Sequence, residues 1–210
     1  MPVPVASLYE QLYPLTTVMK QRMVETFSGK QLNTHRWVIT NSGTVPQGMS
    51  DSVDGGYYIT TTNSWDQVKL NTNDTVRQYS PTGSVFIAVM KYTNSAAASA
   101  GGAGLINLNA QVELTSGNGI CWSLSANNHY FMTGNGSNRD LTTTGVTIDN
   151  NYHTYSGELS TSNAIGTIDG TTSFTLTTYL PQSSSKLQPS VNHKSGAETF
   201  NINYYEAYNT

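Results

Sequence analysis

The side chains best equipped for chemistry in this chain are its carboxylates, and the reaction that carboxylates perform in pairs is glycoside hydrolysis. One acts as acid and the other as nucleophile or base, held about 5–9.5 Å apart. On a β-strand, alternate residues share a face, so two acids at i and i+2 would meet the same substrate. None of Glu10, Glu25, Glu113, Glu158, Glu198 and Glu206 is followed by an aspartate two positions later. A hydrolytic pair would have to be assembled from separate strands, with Glu113, Glu158, Glu198 and Glu206 as the donors. Lyase chemistry asks instead for a His or Tyr to take a proton beside a uronate carboxylate, and an Arg or amide to neutralise that carboxylate. Arg77, Gln78 and Tyr79 stand together, as do His129 and Tyr130, and His153 and Tyr155 share a strand face. With 13 tyrosines in the chain, such neighbours carry little specificity.

Metal and thiol chemistry have less support. His35, His129, His153 and His193 lack zinc-type spacing, and Cys121 is the single cysteine, which rules out an intrachain disulfide. Asp51, Asp54 and Gly55 in SDSVDGG have the oxygen-rich composition of a calcium loop, and equally that of a turn leading into Tyr57. No catalytic residue, resident metal or other cofactor is assigned. Binding asks less of a sequence, since an aromatic face and a few neutral hydrogen bonds suffice for a sugar. Trp65, Trp122, Arg77, Tyr79 and His129 are the candidate ligand-binding residues, and a glycan is the candidate ligand.

Only 11% of the 210 residues are charged, against roughly 25% in an average soluble domain. Ser, Thr, Asn, Gly and Tyr take their place, which gives a neutral, polar surface of the kind found outside the cell or on a virus particle. A net charge of −3 with no Lys/Arg run excludes the electrostatic footprint of nucleic-acid binding. No window reaches the ~20 apolar residues of a membrane span, and Met1 to Met23 lacks the basic start and apolar run of a signal peptide.

The elements that must position these residues are strands. From Trp37 onward, short β-prone runs alternate with Gly, Asn, Ser and Pro clusters, the pattern of an all-β sandwich or barrel. His153–Leu159 and Ala164–Ile168 read as strands, Phe174–Thr178 as another, and Asp169-Gly170 between them as a tight hairpin turn. Ser84–Tyr92, apolar on both faces, reads as a core strand covered on both sides, and Ser95 to Gly104 as a small-residue loop. Before Glu25, Leu8, Leu12, Leu15, Met19 and Met23 recur at spacings of three or four, with Pro14 breaking the pattern.

The phrase YHTYSGELSTSNAIGTIDG with the closing FNINYYEAY resembles the last part of concanavalin A-like lectin/glucanase domains, the jelly-roll superfamily that includes laminin G-like modules. Phe27, Ser28, Gly29, Leu32, Asn33, Thr34 and Trp37 match that superfamily's opening phrase, so the resemblance spans Phe27 to Tyr208. It implies a two-sheet antiparallel jelly-roll sandwich over residues 27–210, preceded by an N-terminal arm, residues 1–26, suited to self-association or a structural partner. The best-known enzymes of the superfamily hydrolyse β-glucans with a strand-borne Glu-x-Asp-x-Glu, which is missing here. The expectation is therefore a non-catalytic module for carbohydrate binding or for assembly of a virion or surface structure. A polysaccharide-degrading enzyme, lyase before hydrolase, is the alternative.

Overall fold

The computed structural model describes residues 22–28, 30–42, 46–50, 55–60, 67–72, 78–93, 100–107, 117–125, 128–194 and 199–210. Among these residues there is no helix, and the strands form two antiparallel sheets packed as a jelly-roll sandwich. One sheet contains β1 (Arg22–Glu25), β3 (Gln47–Met49), β4 (Tyr57–Thr60), β6 (Ser84–Thr93), β11 (His153–Leu159), β12 (Ala164–Ile168), β13 (Thr172–Leu176) and β15 (Thr199–Asn209). Its order is β13-β12-β11-β6-β15-β4-β3, with β1 also paired to β15. The other sheet holds β2 (Trp37–Ser42), β5 (Gln67–Thr72), β7 (Ala100–Ile106), β8 (Asn118–Ser125), β9 (Asn128–Asn135), β10 (Arg139–Thr147) and β14 (Gln188–Lys194). Its order is β10-β9-β8-β7-β14-β5-β2.

Local chemistry sets the β11–β12–β13 meander. Tyr155, Gly157 and Leu159 face inward while Thr154, Ser156 and Glu158 face out, and Ala164, Gly166 and Ile168 continue the inner row on β12. The hairpin after Ile168 closes through Thr171 N–H to Ile168 O at 3.1 Å. Asp169 and Gly170 both sit at positive φ, 52° and 68°, the pair of left-handed residues that a type I′ turn demands. Strand β13 begins two residues earlier than its sequence suggests, because pairing starts directly at the turn.

Between the sheets lies a core of aromatic rings. Tyr205 stands edge-on to Trp37 at 6.0 Å and stacks on Phe86 at 6.3 Å, and its hydroxyl donates to Gly104 O on the opposite sheet at 2.6 Å. That hydroxyl link ties the two layers in the buried interior, Tyr205 being 0% exposed. Of the small residues expected to form a loop, Ala100 to Gly104 instead belong to β7, which pairs with β8 and β14 in the middle of its sheet, while residues 95–99 lie outside the described residues. The reason is volume: a Cβ on Gly101 would lie 2.8 Å from the Tyr92 ring and 2.9 Å from that of Phe200, so the facing aromatics leave room only for glycine.

The amino-terminal side differs from expectation too. Met23 is 1% exposed and belongs to the sandwich core, and Arg22–Glu25 pairs with Tyr205–Tyr208. Leu8, Leu12, Leu15 and Met19 lie outside the described residues. Deletion through Glu25 is expected to strip a strand from β15 and a side chain from the core, so loss of cooperative folding, not simply a smaller oligomer, should follow. Circular dichroism melting of the truncated chain checks this; an unchanged melting curve would show β1 to be dispensable.

Candidate functional site

Burial divides the two sheets. β11 and β12 alternate between buried and wetter positions, whereas β8 and β14 are buried on both faces through their centres. In β8 the inward side chains Ile120, Trp122 and Leu124 enter the core, so Cys121 and Ser123 point out of the sandwich. Val191 likewise faces in, which turns Gln188, Ser190 and Asn192 of β14 outward. Strand β7 runs between them, and its register sets Gly102 beside both Ser123 and Asn192, and Gly104 beside both Cys121 and Ser190.

The outer face of the seven-stranded sheet therefore carries a glycine lane flanked by small polar side chains. Ser123 and Asn192 are 1% exposed and Gln188 5%, yet Ser123 Oγ, Asn192 Nδ2 and Gln188 Oε1 have no hydrogen-bond partner. A buried polar atom left unpaired costs about 1–3 kcal/mol, so these three are a local cost to stability on that side of the sheet. All three are neutral amide or hydroxyl groups. None of the described outward positions on β7, β8, β9 and β14 is Asp or Glu. Sequence reasoning missed this set; its only trace is the polar half of the alternation in ICWSLS.

Acids are found elsewhere. Glu206 and Glu158 occupy the outer face of the eight-stranded sheet, flanking β6 through Glu206↔Ile87 and Glu158↔Val85. Glu25 is engaged by Trp37 Nε1 at 3.1 Å and Arg36 Nη1 at 3.3 Å. Asp140 accepts a hydrogen bond from Thr178. Glu113 and Glu198 lie outside the described residues, as do Trp65, Arg77, Asp51 and Asp54. Among the described residues no three His, Cys, Asp or Glu side chains are grouped to hold a metal ion.

Three of the ligand-binding candidates prove to be interior. Trp122 is 0% exposed, wedged against Phe131, Tyr155 and Phe174, and donates from Nε1 to Ser156 O of the opposite sheet at 2.7 Å. Tyr79 is 1% exposed and donates to Ala207 O at 3.2 Å. Neither ring can stack on a sugar, because inter-sheet packing already covers both. His129 is also buried, with its ring 5.8 Å from that of His153 and 5.5 Å from that of Tyr155, and neither of its nitrogens has a hydrogen-bond partner. Burial, and then the nearby His153, pushes its pKa down to about 4.

His153 is held from both sides, with Nδ1 2.6 Å from Asp169 Oδ2 and Nε2 2.9 Å from Asp149 Oδ1. Burial opposes its charge, but the hydrogen bonds to Asp169 and Asp149 outweigh that and raise its pKa. The His153–Asp169 contact anchors the hairpin turn, since Asp169 Oδ1 also accepts from Thr154 N at 2.8 Å. This group joins elements, with the Asp149 and Asp169 side chains 47% and 46% exposed and both engaged by the His153 ring.

No family model matches the chain, and no curated protein matches it in sequence. Solved structures do match its fold. A β-glucanase from Bacillus licheniformis superimposes with a TM-score of 0.64 at 16% identity, covering 90% of this chain and 98% of that one. A family 16 glycosyl hydrolase from Mycobacterium smegmatis gives 0.64 at 11%, covering 88% and 98%. A structure described as a native glycosidic hydrolase gives 0.67 at 12%, covering 91% and 97%. At these identities the likeness establishes the fold alone, the two-sheet jelly-roll sandwich that the resemblance to concanavalin A-like lectin/glucanase domains implied. It also corrects the functional expectation. The solved neighbours named above are described as a glucanase and glycoside hydrolases, which counts against both a non-catalytic binding or assembly module and a lyase.

Proposed function

We propose that this chain is a polysaccharide-degrading glycoside hydrolase whose substrate lies along the outer face of the seven-stranded sheet. The observation that carries the reading is the near full-length superposition on glycoside hydrolases, with 97–98% of the neighbouring chains covered. With no Asp or Glu among the described outward positions of β7, β8, β9 and β14, a neutral polysaccharide is the substrate class tested first. No single strand of the described residues carries the i, i+2 acid pair, so the two acids come from separate parts of the chain. Glu113, which stands in the chain between β7 and β8, is the first candidate. Work outside the cell is in keeping with a polymeric substrate and with the weakly charged composition.

The test is release of new reducing ends from a panel of neutral polysaccharides. The wild-type chain should produce them, Glu113→Gln should reduce the rate by about a hundredfold or more, and Glu158→Gln, on the opposite sheet, should leave it unchanged. Absence of new reducing ends on every neutral polymer, with or without binding, would overturn the hydrolase reading.

A further inference from the structure

The outer face of the eight-stranded sheet holds a cleft of about 420 Å³ lined by Arg22, Ile87, Glu206, Tyr208 and Asn209. Its volume falls in the range of small-ligand sites, roughly 300–1,000 Å³. The sequence does not advertise it, because the ion pair at its edge joins residues 184 apart in the chain.

The hydrogen-bonding state of each wall residue defines what the cleft lacks. Glu206 is fully used: Oε1 accepts from Arg22 Nε at 2.7 Å, and Oε2 from Tyr204 Oη at 2.5 Å. Asn209 Oδ1 accepts from Ser84 Oγ at 2.9 Å, which leaves its amide N–H groups. Arg22 gives Nε to Glu206 and also faces the Tyr204 hydroxyl, and its side chain is 65% exposed while that of Glu206 is 10% exposed. The groups that remain are therefore donors: the solvent-facing N–H groups of the Arg22 guanidinium, the Asn209 amide and the Tyr208 hydroxyl. They surround an apolar floor made by Ile87 and the Tyr208 ring.

We propose that this cleft is a binding site for a carboxylate-bearing sugar, a uronic acid within a glycan. The guanidinium is held by Glu206 through one edge and offers its other edge as a two-pronged donor that matches a carboxylate. A sugar ring's C–H face covers Ile87 and Tyr208. Glu206 has the role of positioning residue, fixing the fork in place. The site lies on the opposite sheet from the neutral face assigned to hydrolysis and does not depend on that assignment.

Amide and side-chain NMR shifts of the full chain, titrated with glucuronate, with methyl glucoside and with acetate, test the proposal. Glucuronate should shift the Arg22 and Asn209 side-chain signals saturably, and methyl glucoside and acetate should each bind at least about tenfold more weakly. Arg22→Lys keeps the charge and the ion pair but loses the fork, and should weaken glucuronate by about tenfold. Asn209→Ala should weaken it by a smaller factor. No saturable shift with glucuronate would overturn the proposal. Equal affinity for the neutral sugar, or for acetate alone, would overturn it as well, by showing that the carboxylate or the ring is not read.

Discussion

Replacing Trp122 by alanine is expected to lower the melting temperature by roughly 10–15 °C, or to abolish folding. A buried Trp→Ala change costs about 3–5 kcal/mol through lost transfer energy and the cavity left behind. Here the loss is compounded, because the indole contacts Phe131 at 5.1 Å and Tyr155 at 5.5 Å between ring centroids, and bonds Ser156 O across the sandwich. An orphaned buried carbonyl adds about 1–3 kcal/mol. Against a total stability of about 5–15 kcal/mol, that is a large share. For a chain of this size each kcal/mol corresponds to roughly 2–4 °C. Trp122→Phe should fall between, since it keeps most of the ring and loses the N–H. Thermal unfolding followed by near-ultraviolet circular dichroism measures both; a shift below about 2 °C for the alanine variant would contradict the core assignment.

Acidification is expected to destabilise the protein well above the usual carboxylate range. His129 is buried with neither nitrogen partnered, and its folded pKa of about 4 lies below the ordinary 6.5. Between those values the unfolded chain binds a proton that the folded chain refuses. Stability from this group is thus complete above pH 6.5, declines as pH falls towards 4, and is fully lost below that. With allowance for partial solvent screening, the change is about 2 kcal/mol.

His153 works in the opposite sense. Its raised pKa contributes stability that is present below 6.5 and is lost as pH rises through the folded value. The pKa values of Asp149 and Asp169 are lowered, the first chiefly by its hydrogen bond with His153, the second by the His153 and Thr154 hydrogen bonds acting against burial. They add stability above 3.8 that fades only below it. The interval from 6.5 to 4 therefore isolates His129 from the carboxylates. Urea unfolding of wild type and His129→Phe at pH 7 and pH 4.5 separates the terms: the wild type should lose about 2 kcal/mol more than the variant. Equal losses in both would remove His129 as the source.

Much of the architecture was legible because it is local. The Asp-Gly turn at positive φ, the period-two alternation of β11 and β12, and the opening and closing phrases of the chain each act over a few residues, and the two sheets follow from them. Burial on both faces is different, since it erases alternation. β14 reads QPSVNHK and β7 reads AGGAGLI, neither resembling a strand by composition, yet both lie in the middle of the seven-stranded sheet. Their neighbours, Val191 against Leu70 and Ala103 against Trp122, supply the hydrophobic packing that their own sequences do not signal.

The site is a stronger case. Whether Trp122 enters the core or faces a sugar depends on which side of β8 meets the other sheet, and a one-residue change of register would reverse it. Residues as far apart as Arg22 and Glu206, or Ser123 and Asn192, converge only through strand order. Composition determined a neutral, weakly charged all-β protein without a strand-borne pair of acids. Tertiary pairing alone decided which polar groups lie unpaired on a face, because that depends on neighbours distant in the chain.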